Sequence, residues 1–132
     1  MENKMINKID GVILIVSDLH SCISFYRDIL GMKIKLEEKG FVEFETTNKT
    51  VLALMALDEA IKLFGKKNVL TGDKMGRRLE LATEVEDVDS VYKRLKQKGV
   101  KFIREPVTMP WGQRTADFVD PEGNIWEIYK PL

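Results

Sequence analysis

The two halves of this chain repeat one pattern of elements, and the repeat limits the folds that are open to it. Val16-Ser17-Asp18 and Val85-Glu86-Asp87 each end an apolar run and supply a residue that caps a helix. Gly31-Met32-Lys33-Ile34 and Gly99-Val100-Lys101-Phe102 each end a helix and begin a strand. Each half therefore predicts the element order β-α-β-β-β, and a self-match that keeps its caps in order is a stronger signal than any single motif.

The repeat predicts one α+β unit made of two βαβββ modules. We place module 1 at about 9–56, a linker at about 57–78 and module 2 at about 79–132. One helix cannot cover both faces of a four-stranded sheet, so the free face must be buried by the sister module, a partner chain or a ligand.

Four local predictions follow from the pattern of residues. The apolar run from Ile9 to Val16 predicts a strand buried on both faces. A short helix over 58–64 is expected to be capped by Asp58. The sequence predicts irregular segments over 65–78 and 105–112, of which the second contains two prolines.

Composition excludes several classes of function. Lys and Arg total 21 and so do Asp and Glu, so no net charge attracts nucleic acid or an anionic membrane. The one basic cluster has no interleaved aromatic residues and is interpreted as a linker and partial lid; it contains Lys66, Lys67, Lys74, Arg77 and Arg78. The apolar runs are too short to span a bilayer.

Cysteine and histidine usage adds further limits. The single cysteine, Cys22, cannot form an internal disulfide and fits a reducing compartment, and a core position is favoured over a reactive one. No signal-peptide pattern is visible, which predicts a cytoplasmic protein. The single histidine, His20, lies off the apolar stripe of its helix, and one copy of the chain cannot supply a site made of several imidazoles.

The strand near the C-terminus carries the first candidate for function. Asp120-Pro121-Glu122-Gly123 predicts a type I turn, and residues 125–129 predict the strand that follows. Glu127 is a carboxylate inside this otherwise apolar strand, and a buried carboxylate is costly unless it is paired, hydrogen-bonded or bound to a metal. The alternative is an edge strand with Glu127 in water.

The repeat extends this candidate to four positions. Glu80 and Gly11 lie at matching places in the first strands of the two modules, and Glu127 and Ala53 match in the last strands. Strand alternation predicts that all four lie on the same side of the paired modules. Two neighbouring carboxylates resist being ionised together, so the pKa of one should rise.

At this point the chain resembles the vicinal-oxygen-chelate superfamily, which includes glyoxalase I, bleomycin-resistance proteins and extradiol dioxygenases. The resembling segments are 16–19, 25–31, 85–88 and 120–124 followed by Glu127. The resemblance implies that the modules pair into a cupped mixed sheet and that the protein is a homodimer.

The resemblance also implies which positions would hold a metal. Superfamily enzymes most often place a histidine on the first strand, a histidine or glutamine on the fifth and a glutamate on the last. These positions correspond here to Gly11, Glu80 and Glu127. The optional fourth-strand ligand corresponds to Ala53. We therefore expect no metal cofactor; Glu80 and Glu127 could hold at most a hard cation such as Mg²⁺ or Mn²⁺.

The predicted ligand-binding residues lie around this carboxylate pair. In the superfamily, the stretch before the last hairpin edges the cavity, and here it contains Trp111 and Arg114. Trp111 could receive a flat ligand or anchor the loop on the core. Arg114 could bind an anionic group, or else Arg114, Arg77 or Arg78 could pair with the carboxylates. Ile13 and Met55 are predicted apolar walls.

Three functions remain open from the sequence. The leading hypothesis is a metal-independent protein of the bleomycin-resistance kind that binds a small aromatic or cationic molecule. The second is a lyase, isomerase or dioxygenase-like enzyme with a divalent metal at Glu80 and Glu127. The third is a scaffold whose cavity is filled by its own side chains. No nucleophile motif, phosphate loop or dinucleotide fingerprint points elsewhere.

Overall fold

Two four-stranded sheets and their helices make up the fold in the computed structural model, which describes residue 5 and residues 8–69 and 79–132. Sheet A contains β1 (Gly11–Val16), β2 (Ile34–Glu38), β3 (Phe41–Phe44) and β4 (Val51–Ala56). Sheet B contains β5 (Glu80–Glu84), β6 (Phe102–Met109), β7 (Gln113–Val119) and β8 (Ile125–Pro131). The helices are α1 (Leu19–Ser24), continued by a π-helical turn (Phe25–Ile29), then α2 (Leu57–Phe64), α3 (Lys66–Val69) and α4 (Val88–Gln97).

The two sheets have the same topology and the same register. Their strand orders are β1-β4-β3-β2 and β5-β8-β7-β6, and the first and last strand of each module pair in parallel. Gly11 pairs with Val51, and Glu80 pairs with Ile125 at the matching place in the repeat. The predicted α+β fold of two βαβββ modules in mixed sheets is therefore confirmed.

The helix caps confirm two predictions and correct one. Asp18 Oδ1 accepts a hydrogen bond from the Ser21 N–H at 3.0 Å, and Asp87 caps α4 in the same way. Asp58 is not a cap, because α2 begins at Leu57 directly after β4 and leaves Asp58 in its first turn. There a carboxylate still interacts favourably with the helix dipole.

Strand β1 is buried on one face only, so the prediction of burial on both faces is wrong. Leu14 and Val16 are buried against the helices, whereas Ile13 and Ile15 remain 50% and 43% exposed. The physical reason is that α1 and α4 cover only one side of the sheets. We call the side turned away from α1 and α4 the inner face.

A hydrogen-bonded aromatic cluster joins the two modules. The Tyr26 hydroxyl donates to Asp120 Oδ2 at 2.7 Å and accepts from Trp126 Nε1 at 3.0 Å. The ring of Tyr26 also lies 5.6 Å from Phe44 of sheet A.

Burial and the neighbouring Asp120 raise the pKa of Cys22 to about 12, which agrees with a core cysteine.

The C-terminal turn over residues 120–123 is hydrogen-bonded to the start of α1. The Gly123 N–H donates to the Asp120 carbonyl at 2.9 Å, which closes the predicted turn. Glu122 accepts from the Ser17 N–H at 3.1 Å and from the Asp18 N–H at 3.2 Å. The turn of module 2 thus fixes the first helix of module 1.

Two predicted irregular segments contain regular structure. Residues 105–109 extend β6, and only residues 110–112 form a turn. Pro106 is tolerated because it lies at a bulge, where its missing N–H removes no bond of the sheet. In the basic segment Lys66–Val69 forms α3, whereas Lys74, Arg77 and Arg78 lie outside the described residues. No helix in the described ranges is long and apolar enough to cross a membrane.

Candidate functional site

The inner face of sheet B carries a group of charged side chains, which we call the acidic cluster: Glu80, Asp117, Glu127 and Arg104. Strand alternation places Asp117 and Glu127 on this face, while Phe118 and Trp126 point to the core. Asp117 and Glu127 are directly opposite each other on neighbouring strands. Like charges in that arrangement repel each other and require a counter-charge.

Arg104 supplies this counter-charge. Its Nε donates to Asp117 Oδ2 at 2.6 Å, and its Nη2 donates to Glu127 Oε2 at 3.4 Å. Its Nη1 lies 3.3 Å from the sulfur of Met109. One guanidinium therefore bridges two of the three carboxylates, with the shorter and stronger contact to Asp117.

Two register shifts in β6 place Arg104 on the inner face. Phe102 pairs with Phe118, and Arg104 pairs with Asp117, the residue next to Phe118. A step of two residues along β6 therefore matches a step of only one residue along β7. A second shift lies between Arg104 and Val107. Such a bulge moves every later side chain to the opposite face. Without the first bulge Arg104 would share the core face with Phe102.

The cluster perturbs the ionisation of its members. Burial, together with the charges of Glu80 and Asp117, raises the pKa of Glu127 above its usual range, although Arg104 opposes the shift. The hydrogen bond to Asp117 raises the pKa of Arg104, which stays charged. The rise in the pKa of Glu127 that the carboxylate pair predicts is thus present, with burial as its largest cause.

Two polar atoms on this face are buried without a partner among the described residues. They are Asp117 Oδ1 and Thr115 Oγ1. A buried acceptor without a hydrogen bond costs about 1–3 kcal/mol, and more when it is charged. Unsatisfied acceptors beside an excess of negative charge are suited to a donor from a ligand, since the described residues supply none.

Arg114 lies on the other side of sheet B and does not join the carboxylates. Its Nη2 and Nε donate to the carboxylate of Asp89 on α4 at 2.8 Å and 3.0 Å, and its Nη1 donates to Thr108 Oγ1 at 3.1 Å. The predicted placement of Arg114 beside Glu80 and Glu127 is therefore wrong. The reason is strand parity, since Arg114 is three residues from Asp117 on the same strand.

The predicted apolar residues are spread over the inner side. Trp111 lies in the turn between β6 and β7, where it is exposed and donates from Nε1 to Gln113 Oε1 at 3.1 Å. Met55 is buried on β4 opposite Ile15, and Ile13 is half-exposed on β1 opposite Ala53. The structure thus joins Glu80 with Glu127 and places Ile13 and Met55 together on the inner face of sheet A.

The side chains at the superfamily's metal positions do not fit a bound metal. Gly11 and Ala53 provide no donor atom, and the guanidinium of Arg104 already contacts Glu127. Within the described residues no three His, Cys, Asp or Glu side chains are arranged to hold a metal ion. A site for Zn²⁺ or Fe²⁺ would need imidazole or thiolate ligands.

Sequence reasoning missed Arg104 and Asp117. Asp117 had a visible signal, because it is a carboxylate in the predicted strand 113–119 and its parity differs from that of the core residue Phe118. Arg104 had no such signal. Its side depends on a bulge, and bulges depend on register rather than on the pattern of one strand.

Comparisons with known proteins agree with this architecture. The sequence matches the glyoxalase-like domain family over residues 9–132. The chain is 35% identical over 122 residues to the uncharacterized protein YraH of Bacillus subtilis (strain 168), covering 90% of this chain and 94% of that protein. It is 34% identical over 118 residues to a probable lactoylglutathione lyase of Synechocystis, covering 86% and 87%.

A solved structure shows the same fold. It is a glyoxalase/bleomycin resistance protein/dioxygenase from Nocardioides, with a TM-score of 0.85 and 28% sequence identity, and the match covers 98% of this chain and 87% of that one. The family match and the repeated βαβββ topology thus agree over almost the whole chain. This chain belongs to the glyoxalase-like family of the vicinal-oxygen-chelate superfamily.

Proposed function

We propose that the protein binds a small organic cation at the acidic cluster and needs no metal to do so. The observation that carries the proposal is the charge of the cluster. Among the described residues, three carboxylates (Glu80, Asp117 and Glu127) face a single guanidinium, that of Arg104, so negative charge is in excess there. An ammonium or amidinium group is attracted by this excess and can donate hydrogen bonds.

The hydrogen-bonding capacity of the cluster supports the same class of ligand. Asp117 Oδ1 and Thr115 Oγ1 are acceptors without a partner in the described residues. A cation close to Glu127 would also lower the raised pKa of that carboxyl group, so binding would be coupled to proton release from it. An anionic ligand would instead be repelled by the carboxylates of the cluster.

The apolar part of the ligand would meet the isoleucines of β1. Ile13 and Ile15 expose about half of their surface on the inner face of sheet A, and the aromatic side chain of Trp111 is exposed at the β6–β7 turn. We further propose that a second copy of the chain covers the inner faces, which would make a homodimer and enclose the ligand. An aromatic amine combines the required charge with an apolar body.

The alternative is a metal-dependent lyase, isomerase or dioxygenase, as the probable lactoylglutathione lyase among the relatives suggests. This alternative needs metal ligands where the chain has Gly11 and Ala53. The cytoplasmic location expected from the sequence remains a prediction.

A melting experiment tests the proposal. The wild-type protein and Glu127→Gln are melted with tryptamine, with indole-3-acetate, and with Mg²⁺, Mn²⁺, Co²⁺, Ni²⁺ or Zn²⁺ against EDTA. A ligand at one hundred times its Kd stabilises the fold by about 2.7 kcal/mol, which is several degrees for a domain of this size. We expect tryptamine to raise the Tm of the wild type and to lose most of this effect in Glu127→Gln, whereas any shift with indole-3-acetate should be the same in both proteins.

Glu84→Gln is the matched control. Glu84 lies on the same face of β5 as Glu80. It forms an exposed ion pair with Lys130 at 3.3 Å, away from Arg104. The same substitution there should leave the tryptamine shift intact. A metal-specific rise in Tm that is lost in Glu127→Gln would overturn the proposal in favour of the enzyme. Equal losses of the amine shift and the carboxylate shift in Glu127→Gln would show that charge does not select the ligand at the acidic cluster.

A further inference from the structure

We propose a second binding site, for a small organic acid with an apolar body, in a cavity on the opposite side of the sheets from the acidic cluster. This cavity has a volume of about 690 Å³ and lies between the two modules on their helix-covered side. Ligand pockets for drug-sized molecules have volumes of roughly 300–1,000 Å³. We call it the intermodule cavity.

The walls of the intermodule cavity are apolar and come from both modules. Val12 and Leu52 line it from sheet A, and Leu81 and Trp126 line it from sheet B. Val12, Leu81 and Trp126 are only partly buried, although they pack against the core. Both modules thus leave apolar surface partly exposed in a concave space. The apolar body of a ligand can cover this surface.

The open end of the cavity carries cations from α4. Arg94 and Lys98 are one helical turn apart, and both line the cavity. Arg94 is exposed and forms no ion pair with any described residue, while the Nζ of Lys98 makes only a long contact, 3.4 Å, with the Ile29 carbonyl. Glu45 is the one carboxylate among the described lining residues, so the rim is positive.

This combination of apolar wall and cationic rim favours an anionic amphiphile. The apolar body would lie against Leu81 and Trp126, and its carboxylate would pair with Arg94, whose guanidinium can form two parallel hydrogen bonds to it. The intermodule cavity and the acidic cluster therefore select opposite charges on opposite faces of sheet B. Ligands of the two sites can be told apart by charge alone.

Tryptophan fluorescence tests the site directly. The chain has two tryptophans, so Trp111→Phe leaves Trp126, in the cavity wall, as the reporter. Decanoate is titrated into this variant below its micelle-forming concentration, with decyltrimethylammonium as the probe of opposite charge. We expect a saturable change in Trp126 emission with decanoate and at least tenfold weaker binding of the ammonium compound.

Charge reversal on α4 locates the head group. Arg94→Glu should weaken decanoate binding by about tenfold, and Lys98→Glu serves as the second variant if Arg94→Glu melts early. Lys93→Glu is the matched control, because Lys93 is an exposed cation on the same helix outside the cavity lining. We expect it to change binding by less than twofold.

Glu127→Gln separates this site from the acidic cluster and should leave decanoate binding unchanged. Three results would overturn the proposal: no saturable response of Trp126 to decanoate, equal binding of the two probes, or equal losses in Arg94→Glu and Lys93→Glu. Loss of decanoate binding in Glu127→Gln would assign the ligand to the inner face and would also overturn it. A failure of tryptamine to bind leaves this proposal untouched.

Discussion

Replacing Arg104 by methionine removes the only cation that contacts both Asp117 and Glu127 in the described residues. Methionine keeps the apolar stem of the side chain, so the change isolates the guanidinium. Its contacts, 2.6 Å to Asp117 and 3.4 Å to Glu127, are both lost. The two carboxylates then face each other across β7 and β8 without compensation.

The size of the effect follows from the burial of the partners. Removing one member of a fully buried ion pair costs about 3–5 kcal/mol. Asp117 is 11% exposed but Arg104 is 34% exposed, so solvent screens part of the loss, and we expect about 2 kcal/mol. For a domain of this size that lowers Tm by roughly 8 °C.

Arg114→Met is the matched control on the other face of sheet B. Arg114 is 32% exposed and also forms a double hydrogen bond to a carboxylate, but its partner Asp89 is 48% exposed. Exposed pairs contribute little to stability, so this change should lower Tm much less than Arg104→Met does. The comparison tests whether burial of the carboxylate decides the cost.

The assay is thermal and urea unfolding of the wild type, Arg104→Met and Arg114→Met at pH 7 and at pH 4.5. Arg104 holds down the pKa of Glu127, so its removal should raise that pKa further. A carboxyl group whose pKa is higher in the folded state binds more protons when folded, and stability then increases as pH falls. The deficit of Arg104→Met should therefore shrink at pH 4.5. Equal costs for the two arginines, or a deficit that does not change with pH, would refute the reasoning.

Two further substitutions probe the same interactions from other residues. Glu127→Gln should raise Tm at pH 7 and lose this advantage near pH 4. Burial and the charge of Glu80 raise the pKa of Glu127, so the ionised carboxylate is unfavourable in the folded protein. Melting curves recorded across this pH range measure the effect, and a lower Tm of the variant at pH 7 would contradict the prediction. Tyr26→Phe should lower stability by about 1–3 kcal/mol, because it removes the hydroxyl that donates to Asp120 Oδ2 at 2.7 Å and takes away the acceptor of the Trp126 N–H at 3.0 Å. Asp120 Oδ2 keeps its hydrogen bond from Asn124 Nδ2 at 2.8 Å. Urea unfolding measures the loss.

The fold could be predicted from the sequence because its signals are local and occur twice. Asp18 and Asp87 cap their helices by the same hydrogen bond, at 3.0 Å and 3.1 Å, so the repeated caps mark repeated structure. The equal registers of Gly11 with Val51 and Glu80 with Ile125 then follow from the repeat. The exposure of Ile13 could not be predicted in this way, since strand composition does not reveal which faces are covered.

The candidate site could be predicted only in part, because the position of its cation depends on pairing between strands. The repeat, together with parity along β5 and β8, correctly placed Glu80 and Glu127 on one face. Parity also separates Arg114 from Asp117, because they are three residues apart on β7. Arg104 required knowledge of the bulge, and a bulge of one residue exchanges the two faces of everything that follows it.

The bulge also explains how this chain can hold several carboxylates on its inner face although no histidine occupies the superfamily's metal positions. In a sheet without the bulge, Asp117 and Glu127 would face each other with no guanidinium from β6 beside them. Here the shift of Arg104 supplies one positive charge from within the chain, with its short bond to Asp117 rather than to Glu127. Glu127 thereby keeps the weaker contact and the raised pKa, which makes it the carboxylate of the cluster best placed to exchange its partner for an incoming organic cation.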